Sequence, residues 1–140
     1  MFVHLHVHSH FSFKEALPSP QALAEQTAKL GMGSIALTDH NTLAGAIRFY
    51  TACQQAGIKP IVGCEVDLRN GGSLVLLCRD MTGYSNLCNL LTAVNMASPE
   101  GPFAVSPREL LPFSRGLICL LTEASLPGEE IGRASCRERV

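Results

Sequence analysis

The chain reads as an α/β fold, with mainly parallel strands in a sheet or barrel and helices packed outside it. Three observations predict this. Short apolar segments alternate along the chain with longer segments of helical periodicity, the rhythm of βαβ units. Gly, Pro and Asn-Gly punctuate nearly every change of periodicity. The hydrophobic share is 46% over 140 residues, enough for one domain core, with no internal repeat.

Residues 2–9 alternate histidine with Val3, Leu5 and Val7 and are expected to be the first strand. Ser19 then supplies an N-cap and Pro20 a first helical residue, with Leu23, Ala24, Thr27, Ala28 and Leu30 as the apolar stripe and Gly31 as the stop. Residues 34–38 (SIALT) are a short strand. Asn41 or Thr42 is expected to cap a second helix running to about Gln55, packing through Leu43, Ala44, Ile47, Phe49 and Tyr50 and ending at Gly57. Residues 59–67 and 73–78 flank Asn70-Gly71-Gly72 and form a hairpin. Residues 84–96 make a third helix through Leu87, Leu90, Leu91 and Val94. Residues 98–103 are a loop, Ser106-Pro107-Arg108-Glu109 opens another helical turn, and residues 116–121 are a further strand.

Composition excludes several function classes. No run of about eighteen apolar residues exists to span a bilayer. The amino end lacks a basic region followed by an apolar one, so a cytoplasmic location is expected. The six cysteines form neither a CxxC pair nor a zinc-finger spacing, and reduced thiols are the simplest account. Cys64, Cys78 and Cys119 sit in apolar runs, where a thiol behaves as a small buried hydrophobe. A net charge of −1 gives this segment no electrostatic attraction for nucleic acid. The last ten residues, IGRASCRERV, break with the chain before them, having three arginines and no amphipathic pattern. They resemble the conceptual translation of a short-read sequencing adapter. The expected organisation is therefore a domain over residues 1–130 and a non-native tail over 131–140.

Function is concentrated at strand ends. His4, His6, His8 and His10 recur at every second position, so an extended backbone projects their imidazoles from one face. Thr38-Asp39-His40 closes the second strand, and Cys64-Glu65 lies near the end of the third. In parallel α/β folds, loops after strand carboxyl ends converge on one mouth. Imidazole with carboxylate suits Zn²⁺, Mn²⁺ or Fe²⁺ rather than Ca²⁺ or Mg²⁺ alone. Asp39 alone also fits a helix cap, and Glu65 alone a surface position. Their joint occurrence, each at a strand end, favours a metal site.

Those stretches carry a resemblance. FVHLHVHSHFSF (2–13), IALTDHNTLAGAIRFYTAC (35–53) and GIKPIVGCEV (57–66) resemble the opening motifs of the PHP (polymerase and histidinol phosphatase) superfamily. LVLLCRDMTGYSNLCNLLT (74–92) is more similar to the amino-terminal PHP domain of bacterial DNA polymerase III alpha subunits than to free-standing PHP phosphatases.

The resemblance implies the first half of a distorted seven-stranded barrel, without the later motifs. It implies that His6, His8, Glu15, His40 and Glu65 bind two or three divalent ions, Zn or Mn, with Asp39 orienting His40 from behind. Glu15-Ala16 stands where polymerase PHP domains carry Asp-Gly, and Ser73 where many relatives have a histidine. His4 and His10 match no ligand position. The implied chemistry uses a metal-activated water, with no side chain singled out as catalytic, for phosphoester hydrolysis or 3′–5′ removal of a DNA primer end. The implied partners are the remainder of a replicative or error-prone polymerase chain and, through it, DNA. A free-standing phosphatase and a non-catalytic structural module are the alternatives.

Overall fold

The structure, a computed structural model, describes residues 2–122, so the expected boundary at 130, the tail 131–140 and Cys136 lie outside the described residues. Its centre is a four-stranded sheet in the order β1-β2-β3-β4. The strands are β1 (Ser34–Leu37), β2 (Lys59–Asp67), β3 (Ser73–Cys78) and β4 (Leu117–Leu121). The helices are α1 (Pro20–Lys29), α2 (Ala46–Ala56), α3 (Met81–Ala97) and the short α4 (Pro107–Leu110), which runs into a 3₁₀ turn, Leu111–Phe113.

The sheet is mixed rather than mainly parallel. β1 and β2 are parallel, with Ser34 opposite Lys59 and Leu37 opposite Val62. The β2–β3 and β3–β4 pairs are antiparallel. The reason lies in the connections. The α2 crossover returns the chain in the same direction, whereas Gly71 and Gly72, both at positive φ, fold β3 straight back on β2. α3 and the segment after it then bring β4 back antiparallel to β3.

Two apolar layers hold the sheet. Cys64, Val66, Leu74 and Leu76 face α3, against Leu87, Leu90, Leu91 and Val94. Ile35 and Leu37 pack against Ala24 of α1 and Phe49, Ala52 and Cys53 of α2. Full burial of a side chain such as Phe49 or Leu87 stabilises by about 1.5–3 kcal/mol. A smaller group, Ala36, Val75 and Leu77, is also buried.

Local signals explain the helix ends. The Ser19 side chain accepts from the Ala22 amide to cap α1, and Asp80 does the same for α3 from Gly83, so α3 starts three residues before its expected position. The capping box of Ser106 and Glu109 starts α4, and Glu109 also holds Arg69 of the hairpin in a two-point ion pair.

Four further expectations are corrected. Residues 2–9 are not a regular strand. They run beside β1 through two backbone hydrogen bonds, Ala36 N–H to His4 and Thr38 N–H to Val7. Three residues on one side span two on the other, which is the count of a bulge. The second helix starts at Ala46, not near Asn41, because the Asn41 amide is used elsewhere and Asn41 adopts a left-handed φ of 57°. With that start, α2 buries Ala46, Phe49, Ala52 and Cys53 while Ala44, Ile47 and Tyr50 are exposed. Ile47 and Tyr50 instead line an open groove of about 420 Å³ with Pro60, Val62 and Met81. On α1, Ala28 and Leu30 are likewise exposed, since the buried line runs through Pro20, Ala24 and Thr27. Cys64 is fully buried and Cys78, half-buried at the end of β3, packs against the α3 core, whereas Cys119 is exposed because β4 is the outer strand of the described sheet.

Candidate metal centre

The sheet delivers the site residues by register. Beyond β1, backbone pairing with β2 continues: Glu65 N–H donates to Asp39 and Asn41 N–H to Glu65, so His40 lies beside Glu65. Successive residues of β2 point to opposite faces. Cys64 and Val66 therefore enter the α3 core, and Glu65 and Asp67 turn to the other face. The bulged segment 2–8 crosses that face from the far side of β1. It is anchored by Thr38, whose Oγ accepts from the Val7 amide at 2.9 Å.

Five expected site residues converge. His6 Nε2 and His8 Nε2 both lie 2.7 Å from Oε2 of Glu65. His8 Nδ1 lies 3.0 Å from Oε2 of Glu15, and His40 Nδ1 lies 2.6 Å from Oε1 of the same carboxylate. One donor atom from each of His6, His8 and Glu65 falls within 4.8 Å of the others. Period two thus holds for His6 and His8 despite the bulge. His4 packs against Phe2 and His10 against Phe11, away from these carboxylates.

Asp39 sits behind the site. Its carboxylate is 2% exposed and accepts from the Ser9 amide, the Ser9 hydroxyl and the Ser12 hydroxyl at 2.6–2.8 Å. The Ser12 oxygen in turn accepts from the His40 amide at 3.0 Å. Asp39 therefore fixes the 9–12 turn and, through Ser12, the backbone of His40. Gly45 completes this support: a Cβ there would lie 2.8 Å from the Phe11 ring and 3.2 Å from Asp39.

Asp67 and the site role of Asn41 escaped the sequence reading, which named Ser73 only as a departure from the family pattern. Asp67 Oδ1 lies 2.8 Å from His40 Nε2, so His40 has a carboxylate on each ring nitrogen. Asn41 donates to Asp67 Oδ2 at 2.8 Å and accepts from the Asp67 amide at 3.1 Å. Ser73, directly opposite Asp67 across the hairpin, donates its hydroxyl to Oε1 of Glu65. The available signal for Asp67 was its place two residues after Glu65 on one strand.

Electrostatics follow from these contacts. Burial pushes the Glu65 carboxyl up, but hydrogen bonds from Ser73, His6 and His8 outweigh it and hold Glu65 below its ordinary value. Burial likewise pulls His40 down, and the carboxylates of Asp67 and Glu15 outweigh that and raise it. Burial and hydrogen-bond geometry leave Cys64 inert: its thiol donates to the carbonyls of Asp39 and Glu65 and is pushed up to about 12, mainly by desolvation.

Interleaved imidazoles and carboxylates form a donor set suited to a divalent transition-metal ion.

Comparison with known proteins identifies the family of the chain. Residues 4–135 match the model of the PHP domain family. The chain is 45% identical over 111 residues to an error-prone DNA polymerase of Symbiobacterium thermophilum, covering 76% of this chain and 10% of that protein. It is 36% identical over 153 residues to the DNA polymerase III subunit alpha of Chlamydia trachomatis, covering 92% of this chain and 12% of the relative. The chain thus spans about a tenth of the length of these curated relatives. Two solved structures share the fold. An amidohydrolase from Chromobacterium violaceum superposes with a TM-score of 0.54 at 24% identity, over 70% of this chain and 34% of the other. A Bifidobacterium adolescentis protein assigned as a metal-dependent phosphoesterase gives 0.54 at 20% identity, over 81% and 43%. The chain belongs to the PHP domain family, and the curated relatives it matches are bacterial DNA polymerase III alpha subunits and error-prone DNA polymerases.

Proposed function

We propose that this chain is the amino-terminal portion of a seven-stranded PHP barrel within a cytoplasmic bacterial DNA polymerase, replicative or error-prone, and that its site performs metal-dependent phosphoester hydrolysis on a DNA primer end. The carrying observation is the convergence of His6 and His8 on one oxygen of Glu65, with Glu15 joining His8 to His40. In this reading residues 1–130 belong to the domain and 131–140 are a non-native tail.

His6, His8 and Glu65 would hold one divalent ion, Zn or Mn, and Glu15 with His40 would hold a second beside it, a third ion needing donors from later motifs. A bound ion supplies a Lewis acid for a phosphoryl oxygen and a water acidified toward hydroxide. The chain's own part is orientation. Ser73 holds Oε1 of Glu65, leaving Oε2 to the two imidazoles. Asp39 keeps the turn after residue 8 and the backbone of His40 in place. Ser73 and the Glu15-Ala16 pair depart from the family pattern, and these two positions favour the second reading, a structural module that keeps a metal without hydrolysis.

Double replacement His6→Ala with His8→Ala in the full-length chain tests the proposal. The expected outcome is loss of bound divalent ion by elemental analysis and loss of 3′–5′ degradation, with nucleotide addition spared. Absence of degradation in the unaltered protein, with the double variant losing stability, supports the structural module. Hydrolysis of small phosphomonoesters without action on DNA ends supports a free-standing phosphatase.

A further inference from the structure

Asp67 is placed by contacts on both carboxylate oxygens: Oδ2 accepts from the Asn41 side-chain amide, and Oδ1 faces His40 Nε2. The orientation of the Asn41 amide is not free. Its Oδ1 accepts the backbone N–H of Asp67, a donor that cannot be reversed, so its Nδ2 must be the atom facing the carboxylate. Asn41 reaches this position from a left-handed backbone, which Asn tolerates better than most residues. The two-point grip fixes the place of Asp67 and leaves its Oδ1 as the acceptor facing Nε2 of the ring.

From these contacts we infer that Asp67 is the positioning residue of His40: it takes the proton at Nε2 and thereby turns the Nδ1 lone pair toward the centre shared with Glu15 and His8. The inference rests on the metal reading, since Glu15 Oε1 lies 2.6 Å from Nδ1 and a cation at that nitrogen is what leaves the proton on Nε2. Nδ1 is the nitrogen that faces Glu15, whose other oxygen faces His8. A carboxylate on the far ring nitrogen is the usual means of fixing a ligating histidine and raising its basicity. The cross-strand partner of Asp67 is Ser73, whose hydroxyl donates to Glu65.

An amide at position 67 makes a sharp test. Asn41 demands an acceptor, so the carbonyl oxygen of an Asp67→Asn side chain stays on Asn41 and its NH₂ turns to His40. Nε2 then becomes the acceptor, and the proton moves to Nδ1, in the path of a cation. In the full-length chain loaded with Zn²⁺, long-range ¹H–¹⁵N correlation should show His40 protonated at Nε2 and bound through Nδ1, and in Asp67→Asn protonated at Nδ1. An unchanged tautomer overturns the inference. Asp67→Ala provides the second arm, in titrations with Co²⁺ and Zn²⁺. Affinity should fall roughly 10–100-fold with stoichiometry and the Co²⁺ absorption envelope retained. Loss of one ion outright with a changed envelope overturns the inference by making Asp67 a ligand. Should the unaltered chain bind no divalent ion, the metal reading fails, whereas binding that Asp67→Ala leaves at full affinity overturns the role of Asp67 alone.

Discussion

The rings of His8 and His40 lie stacked, 6.3 Å between centroids and 20° from parallel, with both Nδ1 atoms on the one carboxylate of Glu15. Glu15 is thus a bridge between the amino-terminal segment and the end of β1. Glu15→Gln puts an amide nitrogen against one of the two imidazoles. Divalent-ion affinity, measured by isothermal titration, should fall on the order of 10–100-fold. An unaltered isotherm would remove Glu15 from the centre.

Asp39 carries structural weight distinct from that role. Asp39→Ala strips the partner from the Ser9 amide and from the Ser9 and Ser12 hydroxyls, all buried. The cost should reach at least about 1.5–3 kcal/mol, the range for one hydrogen bond to a charged group. Urea unfolding of the metal-free protein measures it. A loss well below that range would mean the turn reorganises without its carboxylate.

The metal-free protein should show opposing pH limits at one site. His40 is raised in the folded state, so its contribution is full below the unfolded imidazole value and is lost as pH rises through the folded one. Glu65 is lowered, so its contribution is present above the unfolded carboxylate value and is lost as pH falls. Stability in chelator should therefore peak between these limits in a series from about pH 4 to about pH 9. His40→Ala should flatten the alkaline limb and leave the acid limb. Equal flattening of both would refute the assignment.

β4 leaves Ile118, Cys119 and Leu121 exposed on the outer strand of the sheet. An outer strand with exposed apolar side chains is a template for another chain. The 140-residue chain should self-associate in sedimentation, and Ile118→Lys should shift it toward monomer. Deleting residues 131–140 should change neither the melting temperature nor the sedimentation profile. A cooperative, monomeric melt of the unaltered chain would count against the exposed edge.

Legibility from sequence followed how local the determining interactions are. β2 and β3 match their expected bounds because two glycines at positive φ dictate the turn and the alternation of Glu65 and Asp67 with Val66 dictates the faces. α1 was legible because Ser19-Pro20 caps it from its own sequence. The start of α2 was not, since Asn41 has the chemistry of a helix cap and only the fold reveals that Asp67 claims its amide. The irregular path of residues 2–8 was hidden too: histidine–apolar alternation describes a strand, and the bulge arises from pairing with β1. His6, His8, His40 and Glu65 were read from strand ends, and Glu15, which joins His8 to His40, entered only through the family resemblance. Asp67 was passed over because it read as the last residue of a strand.

Residues 2–8 are fastened to β1 by few backbone hydrogen bonds, yet they carry His6 and His8. Segments so lightly tied open at low free energy without unfolding the sheet. An ion captured here would exchange through opening of this segment before the sheet that carries Glu65 unfolds. Occupancy would slow amide hydrogen exchange selectively at residues 4–8, making that stretch the kinetic gate of the centre.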